Sequence, residues 1–147
     1  MTIILLDTSV IFDHLNGRHA RTEFLDELIE QGHVLACCPV NITEVYAGLR
    51  PGEETKTDAF LNSLEYLPVT PAIARQAGLL RREWQKKGQT LSYTDVTIAA
   101  VALSGAIPLL TGNRKHFPMP ELRLLPLPEH GEGRRHPPES RDAFTEP

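Results

Sequence analysis

Two short runs, Ile3–Leu6 and Val34–Cys37, are apolar at every position. Such runs predict strands buried on both faces. Between and after them, apolar residues recur every three or four positions, which predicts helices. Asp7-Thr8-Ser9 supplies helix-start residues directly after the first run. Ala20–Gln31 carries Phe24, Leu25, Leu28 and Ile29 at helical spacing, and Gly32 ends it. Pro39 and Asn41 open a helix through Tyr46 and Ala47, which Gly48 and Pro51-Gly52 stop. Glu53–Leu64 reads as a helix with Phe60, Leu61 and Leu64 inward, and Tyr66–Val69 as a short edge strand in which Pro68 removes a donor. Pro71 suits the first turn of a long helix to Lys87, with Arg75, Arg81, Arg82, Lys86 and Lys87 on outer faces. A helix over Thr94–Leu103 ends at Gly105, Ile107–Leu110 is a strand, and Leu122, Leu124 and Leu125 form a last short strand.

Strands alternating with helices imply parallel pairing and right-handed crossovers. The expected fold class is α/β: a three-layer α/β/α domain over residues 1–127, with a mostly parallel sheet of four to five strands. From Pro126 onward Pro, Gly, Glu, Arg and His dominate, and seven of the twelve prolines lie at Pro118 or later. Residues 128–147 are therefore expected to be a disordered tail. The most apolar region, Leu91–Leu110, is interrupted by Ser92, Asp95, Ser104, Gly105 and Pro108, so no membrane span is expected. The first residues lack the basic segment and cleavage site of a signal peptide, and adjacent Cys37 and Cys38 suit a disulfide poorly. A cytoplasmic location with reduced thiols is the expectation. The net charge of −4 argues against simple binding to a nucleic-acid backbone, but not against a nuclease whose acids hold a cation.

Three carboxylates fall at helix starts: Asp7 after the first strand, Glu44 in the first turn after the second, and Asp95 in the first turn of the helix before the fourth. In an open parallel sheet, strand-to-helix turns gather at the carboxyl edge, where ligands bind, so the three acids can converge. Each also fits a capping role: Asp7 as an N-cap, Asn41-Ile42-Thr43-Glu44 and Ser92-Tyr93-Thr94-Asp95 as capping boxes. Two arguments favour function. Asp95, Ile98, Ala99 and Ala102 share one inward helix face, where an ionised acid is costly without a partner. Clustered carboxylates also raise one another's pKa, and a hard divalent cation, Mg²⁺ or Mn²⁺, removes that repulsion.

The same residues carry a family resemblance. Leu5-Leu6-Asp7-Thr8-Ser9-Val10 resembles the opening motif of PIN domains, and Ile42-Thr43-Glu44-Val45-Tyr46-Ala47-Gly48 the second. Asp95-Val96-Thr97-Ile98-Ala99-Ala100 is similar to the third, and Leu109-Leu110-Thr111-Gly112-Asn113-Arg114-Lys115-His116-Phe117 to the fourth. The four occur in order over about residues 1–125, and the length is most similar to the VapC toxins of bacterial toxin–antitoxin pairs. The resemblance implies an α/β/α endoribonuclease that acts on RNA with Mg²⁺ or Mn²⁺. It places metal ligation, direct or through water, on Asp7, Glu44 and Asp95. It adds Thr111 and Asn113 to the catalytic set, and implies a cognate antitoxin and a homodimer as partners. Many relatives have Asp where this chain has Asn113, so a one-metal site is expected. Thr111-Gly112-Asn113 is also an ordinary turn.

The mechanism expected on this basis is phosphodiester hydrolysis, with Asp7 and Asp95 the chief ligands and Glu44 orienting or deprotonating the attacking water. Arg114 and Lys115 are candidates for gripping flanking phosphates. For His116 a solvated loop is the preferred reading, with Phe117 packing inward. Two alternatives remain. One is a non-catalytic PIN-like scaffold, given Asn113. The other is a HAD-like phosphatase, which resembles this chain in its Asp after an apolar strand but requires a second Asp where Ser9 stands.

Overall fold

The computed structural model describes residues 2–128. Five strands form one all-parallel sheet in the order β3-β2-β1-β4-β5: β1 (Ile3–Leu6), β2 (Val34–Cys37), β3 (Glu65–Tyr66), β4 (Leu109–Leu110) and β5 (Leu124–Leu125). Six helices connect them: α1 (Thr8–Leu15) and α2 (His19–Glu30), then α3 (Pro39–Ala47) and α4 (Glu54–Asn62), then α5 (Pro71–Lys86) and α6 (Tyr93–Gly105). A 3₁₀ turn, Arg114–His116, lies between β4 and β5. Among the described residues no helix is long and apolar enough to cross a membrane.

Alternation along the strands splits the core into two layers. Leu5 and Ala36 face one side, where Ala77, Val96, Ile98, Ala99 and Ala102 of α5 and α6 cover them. Ile4, Leu6, Leu35 and Cys37 face the other, against Val10 and Ile11 of α1, Leu25 and Leu28 of α2, Val45 of α3 and Leu61 of α4. Cys37 and Cys38 are buried and unbridged, and burial pushes both thiols up, Cys38 to about 11. They therefore serve as small apolar residues.

The sheet is fully parallel, and β3 does sit at an edge, one residue earlier than its expected start. The expected strand Ile107–Leu110 shortens to Leu109–Leu110. A left-handed turn at Ala106 (φ 52°) precedes it and ends α6, taking the role expected of Gly105. A second departure concerns α3. Cys38 is its N-cap and Asn41, not Glu44, closes the capping box, its Oδ1 accepting from the Cys38 amide at 2.8 Å. Glu44 thus sits in the second turn of α3, not the first. The tail expected from residue 128 lies, beyond Pro128 itself, outside the described residues.

Candidate active site

β1 and β4 are neighbours whose connections lead to opposite halves of the sheet, and the carboxyl end of such a pair is where open α/β sheets leave a crevice. Asp7 and Thr111 flank that point. The Asp7 amide donates to the Leu110 carbonyl at 2.9 Å, extending the β1–β4 ladder by one bond. The Thr111 hydroxyl then donates to Asp7 Oδ2 at 2.7 Å, and Ser9 Oγ donates to the same oxygen at 3.0 Å. Asp7 is the N-cap residue of α1, but its side chain makes no capping hydrogen bond there. The side chain is instead held, only 5% exposed, at the floor of the crevice.

Glu44 reaches the same place from α3, half-buried and hydrogen-bonded by the Thr8 and Thr94 hydroxyls. The Thr8 hydroxyl also accepts from Asn41 Nδ2 at 2.8 Å, leaving its proton for Glu44. Asn41 is fully buried and ties the Cys38 amide to the Thr8 hydroxyl, which lies close enough to Glu44 to favour its carboxylate. Asp95 arrives from the first turn of α6, which follows helix α5 rather than a strand. Ser92 caps α6, accepting from the Asp95 amide at 3.0 Å. The capping box is thus half present, and the Asp95 carboxylate pairs elsewhere, with His116 Nδ1 at 3.3 Å.

The three acids are brought close enough to repel one another. Burial pushes the Asp7 carboxyl up, against the hydrogen bonds from Thr111, Ser9 and the Thr8 backbone. Burial, then the Asp7 charge, raise Asp95 to about 6, while His116 and Ser92 pull the other way. Glu44 is raised by burial and by Asp7, against hydrogen bonds from Thr8 and Thr94. A compensating cation relieves the repulsion that Asp7 exerts on Glu44 and Asp95. Among the described residues, no three His, Cys, Asp or Glu side chains are grouped so as to hold an ion between them alone. The donor set is nevertheless all hard oxygen around one buried carboxylate. That fits an ion such as Mg²⁺, which keeps several waters and takes only one or two carboxylates directly.

The fourth segment divides. Thr111 is buried and joins the network, accepting from the Asn113 amide at 2.9 Å while donating to Asp7. Asn113 enters through that backbone amide, at the cap of the 3₁₀ turn. Arg114 and Lys115 are exposed on the turn, and Phe117 packs inward at 2% exposure. His116 departs from the solvated-loop reading: it turns back onto Asp95, half-buried. A sequence clue was present in Phe117, because burying it in a short turn swings its neighbour toward the crevice. Thr8 and Asn41 were missed as positioning residues, since both looked like helix-start signals.

Residues 4–120 match the family model described as the PIN domain. The chain is 37% identical over 120 residues to Ribonuclease VapC19 of Mycobacterium tuberculosis, covering 81% of this chain and 96% of that one. This chain belongs to the PIN-domain family, among the VapC ribonucleases. Ribonuclease VapC10 of the same organism is 34% identical over 117 residues, 80% of this chain and 87% of that one. Among solved structures, VapBC2 from Rickettsia felis bound to a DNA fragment from its promoter superposes with a TM-score of 0.76. The identity there is 25%, with 85% of this chain and 98% of that chain covered. The PIN-domain ribonuclease family implies dependence on a divalent metal.

Proposed function

We propose that this chain is the toxin of a toxin–antitoxin pair, an endoribonuclease that hydrolyses RNA phosphodiester bonds with Mg²⁺ or Mn²⁺. The observation that carries the reading is the convergence of Asp7, Glu44 and Asp95 on one crevice, where burial raises all three carboxyls and the Asp7 charge adds to the rise of Glu44 and Asp95. Asp7 and Asp95 hold the ion, directly or through water, and Glu44 completes the cluster. When bound, the ion lowers the pKa of a water and offsets charge building on the phosphoryl oxygens. Ser9 and Thr111 both donate to Oδ2 and fix the orientation of the Asp7 carboxylate. Glu44, whose raised pKa suits proton uptake, orients or deprotonates the attacking water. Asn113 contributes an amide where many relatives carry a charge, which favours a single ion.

The partner is a cognate antitoxin, a reading supported by the similarity of the fold to the VapBC2 assembly, and the toxin itself forms a homodimer. Tyr46 and Tyr66 are 38% and 52% exposed on α3 and β3 and are candidate contacts, whereas Phe60 and Leu64 are spent on the core. The unbridged cysteines and an RNA substrate accord with the cytoplasm. Cleavage of total RNA with Mg²⁺, with Mn²⁺ and with EDTA, beside Asp7→Asn, tests the proposal. The expected result is metal-dependent cutting that falls at least about a hundred-fold in the variant. Undiminished cutting in EDTA or by Asp7→Asn overturns it.

A further inference from the structure

An open trough of about 310 Å³ lies beside Asp95, between the α5–α6 turn and the 3₁₀ turn. Its size is at the low end for a small-ligand site. Leu91 is the apolar part of its lining; Arg81, Gln89, Ser92, Lys115 and His116 are among the polar part. The trough is a built feature. Gly88, at φ 93°, turns the chain back after α5, with the Gln89 amide donating to the Trp84 carbonyl at 2.9 Å. The Gln89 side-chain amide then donates to the Lys115 carbonyl at 3.0 Å, tying the two walls together. Arg81 Nε donates to the Leu91 carbonyl at 2.7 Å, and its guanidinium lies 4.2 Å from the centre of the Tyr93 ring. Tyr93, next in the chain to the lining residue Ser92, is 70% exposed, with Arg81 against one face of its ring.

This arrangement concentrates cationic groups next to the acids of a chain whose net charge is −4. Arg81 is held by one strong backbone bond and a longer one to the Tyr93 hydroxyl at 3.4 Å, which use two of its five N–H groups. The remaining donors, with the exposed Lys115 ammonium, suit a phosphate diester. An exposed aromatic ring with one face backed by a guanidinium suits a base out of its stack.

We propose that this trough is the subsite for a nucleotide flanking the cut phosphate, with Arg81 and Lys115 on the backbone and Tyr93 as the platform for an unpaired base. The inference rests on the ribonuclease reading and adds to it the residues of this chain that hold the neighbouring nucleotide. Gln89 Oε1 and the exposed Thr90 hydroxyl are then placed to discriminate base edges.

The test separates binding from cutting. A labelled single-stranded oligoribonucleotide of randomised sequence is titrated with the full chain in EDTA, by fluorescence anisotropy, at several salt concentrations. Tyr93→Ala is expected to weaken binding at least about five-fold. Lys115→Ala is expected to weaken it and to lower the slope of log affinity against log salt by about 0.7. Arg81→Lys keeps the charge but loses the planar fork, so it should bind more weakly than the wild type. Arg75→Ala, an equal charge change on the exposed face of α5, should be neutral apart from a small salt effect. Tyr93 and Lys115 are exposed, so these variants stay folded even if Arg81→Lys does not. Affinities equal to Arg75→Ala in all three, with wild-type cutting intact, overturn the subsite and leave the nuclease reading standing. A wild type that binds this RNA through the trough but cuts none with Mg²⁺ or Mn²⁺ removes the nuclease reading and leaves the trough as an RNA-binding surface only.

Discussion

Asp95→Asn isolates the electrostatic cost that the acid cluster imposes on the metal-free fold. Burial and the Asp7 charge push the Asp95 carboxyl from the ordinary 3.8 to about 6. A folded-state pKa above the unfolded one means that the folded chain holds this proton more tightly. The penalty is therefore absent below 3.8, grows as pH rises toward 6, and is full above it. The interval corresponds to a ceiling of about 3 kcal/mol. The side chain is 11% exposed, so solvent screens little of it, but the repulsion is shared with Asp7, and about 1–3 kcal/mol is the expected gain in the variant. For a domain of this size that is roughly 3–10 °C in Tm. The assay is thermal melting of both proteins in EDTA at about pH 7.5 and about pH 4.5. The variant should be the more stable at the higher pH, and its advantage should shrink to about a third to a half at the lower one. The His14 imidazole is shifted down by burial, so acid acts against the fold there, but it is common to both proteins and cancels in the difference. A variant that is equally or less stable at about pH 7.5, or whose advantage does not depend on pH, refutes the claim that these acids strain the empty site.

Three further outcomes follow from the same geometry. Thr111→Val removes the donor to Asp7 and the acceptor of the Asn113 amide; it should cost about 1–3 kcal/mol in urea unfolding and depress cleavage, and Thr111→Ser should recover both. Asn113→Asp adds a fourth acid, so calorimetric titration should find tighter Mn²⁺ binding while the metal-free protein melts lower. Ala106→Gly should stabilise the fold by about 1 kcal/mol in the same urea assay, because Ala106 holds a left-handed conformation that glycine adopts freely.

The strands and helices were readable because each core-facing element announces its period. Ile3–Leu6 and Val34–Cys37 are apolar throughout, and α2 and α6 carry apolar residues at helical spacing. Asp7 stood out because it follows a buried strand, but an N-cap explained it as well, and only the folded chain brings Thr111 and Ser9 onto its carboxylate. What pattern could not supply was the third dimension of local hydrogen bonding. Asn41 and Thr8 look like capping residues at any helix start, and only the folded chain brings Asn41 Nδ2 to Thr8 Oγ1 across thirty-three positions. His116 and Arg81 lie in a turn and on a charged helix face, where periodicity carries no signal. Their partners, Asp95 and Tyr93, are set by how α5 and α6 pack together.

The claim at the centre of this account is that acids from three separate turns form one divalent-cation site. Its most direct measurement is Mn²⁺ binding to the purified chain, read by the loss of free-ion paramagnetic resonance signal, for the wild type, Asp7→Asn and Asp95→Asn. The account predicts about one ion bound by the wild type, and at least about ten-fold weaker binding in each variant. Wild-type Mn²⁺ binding that persists unchanged in both variants, or no binding by the wild type, would contradict it.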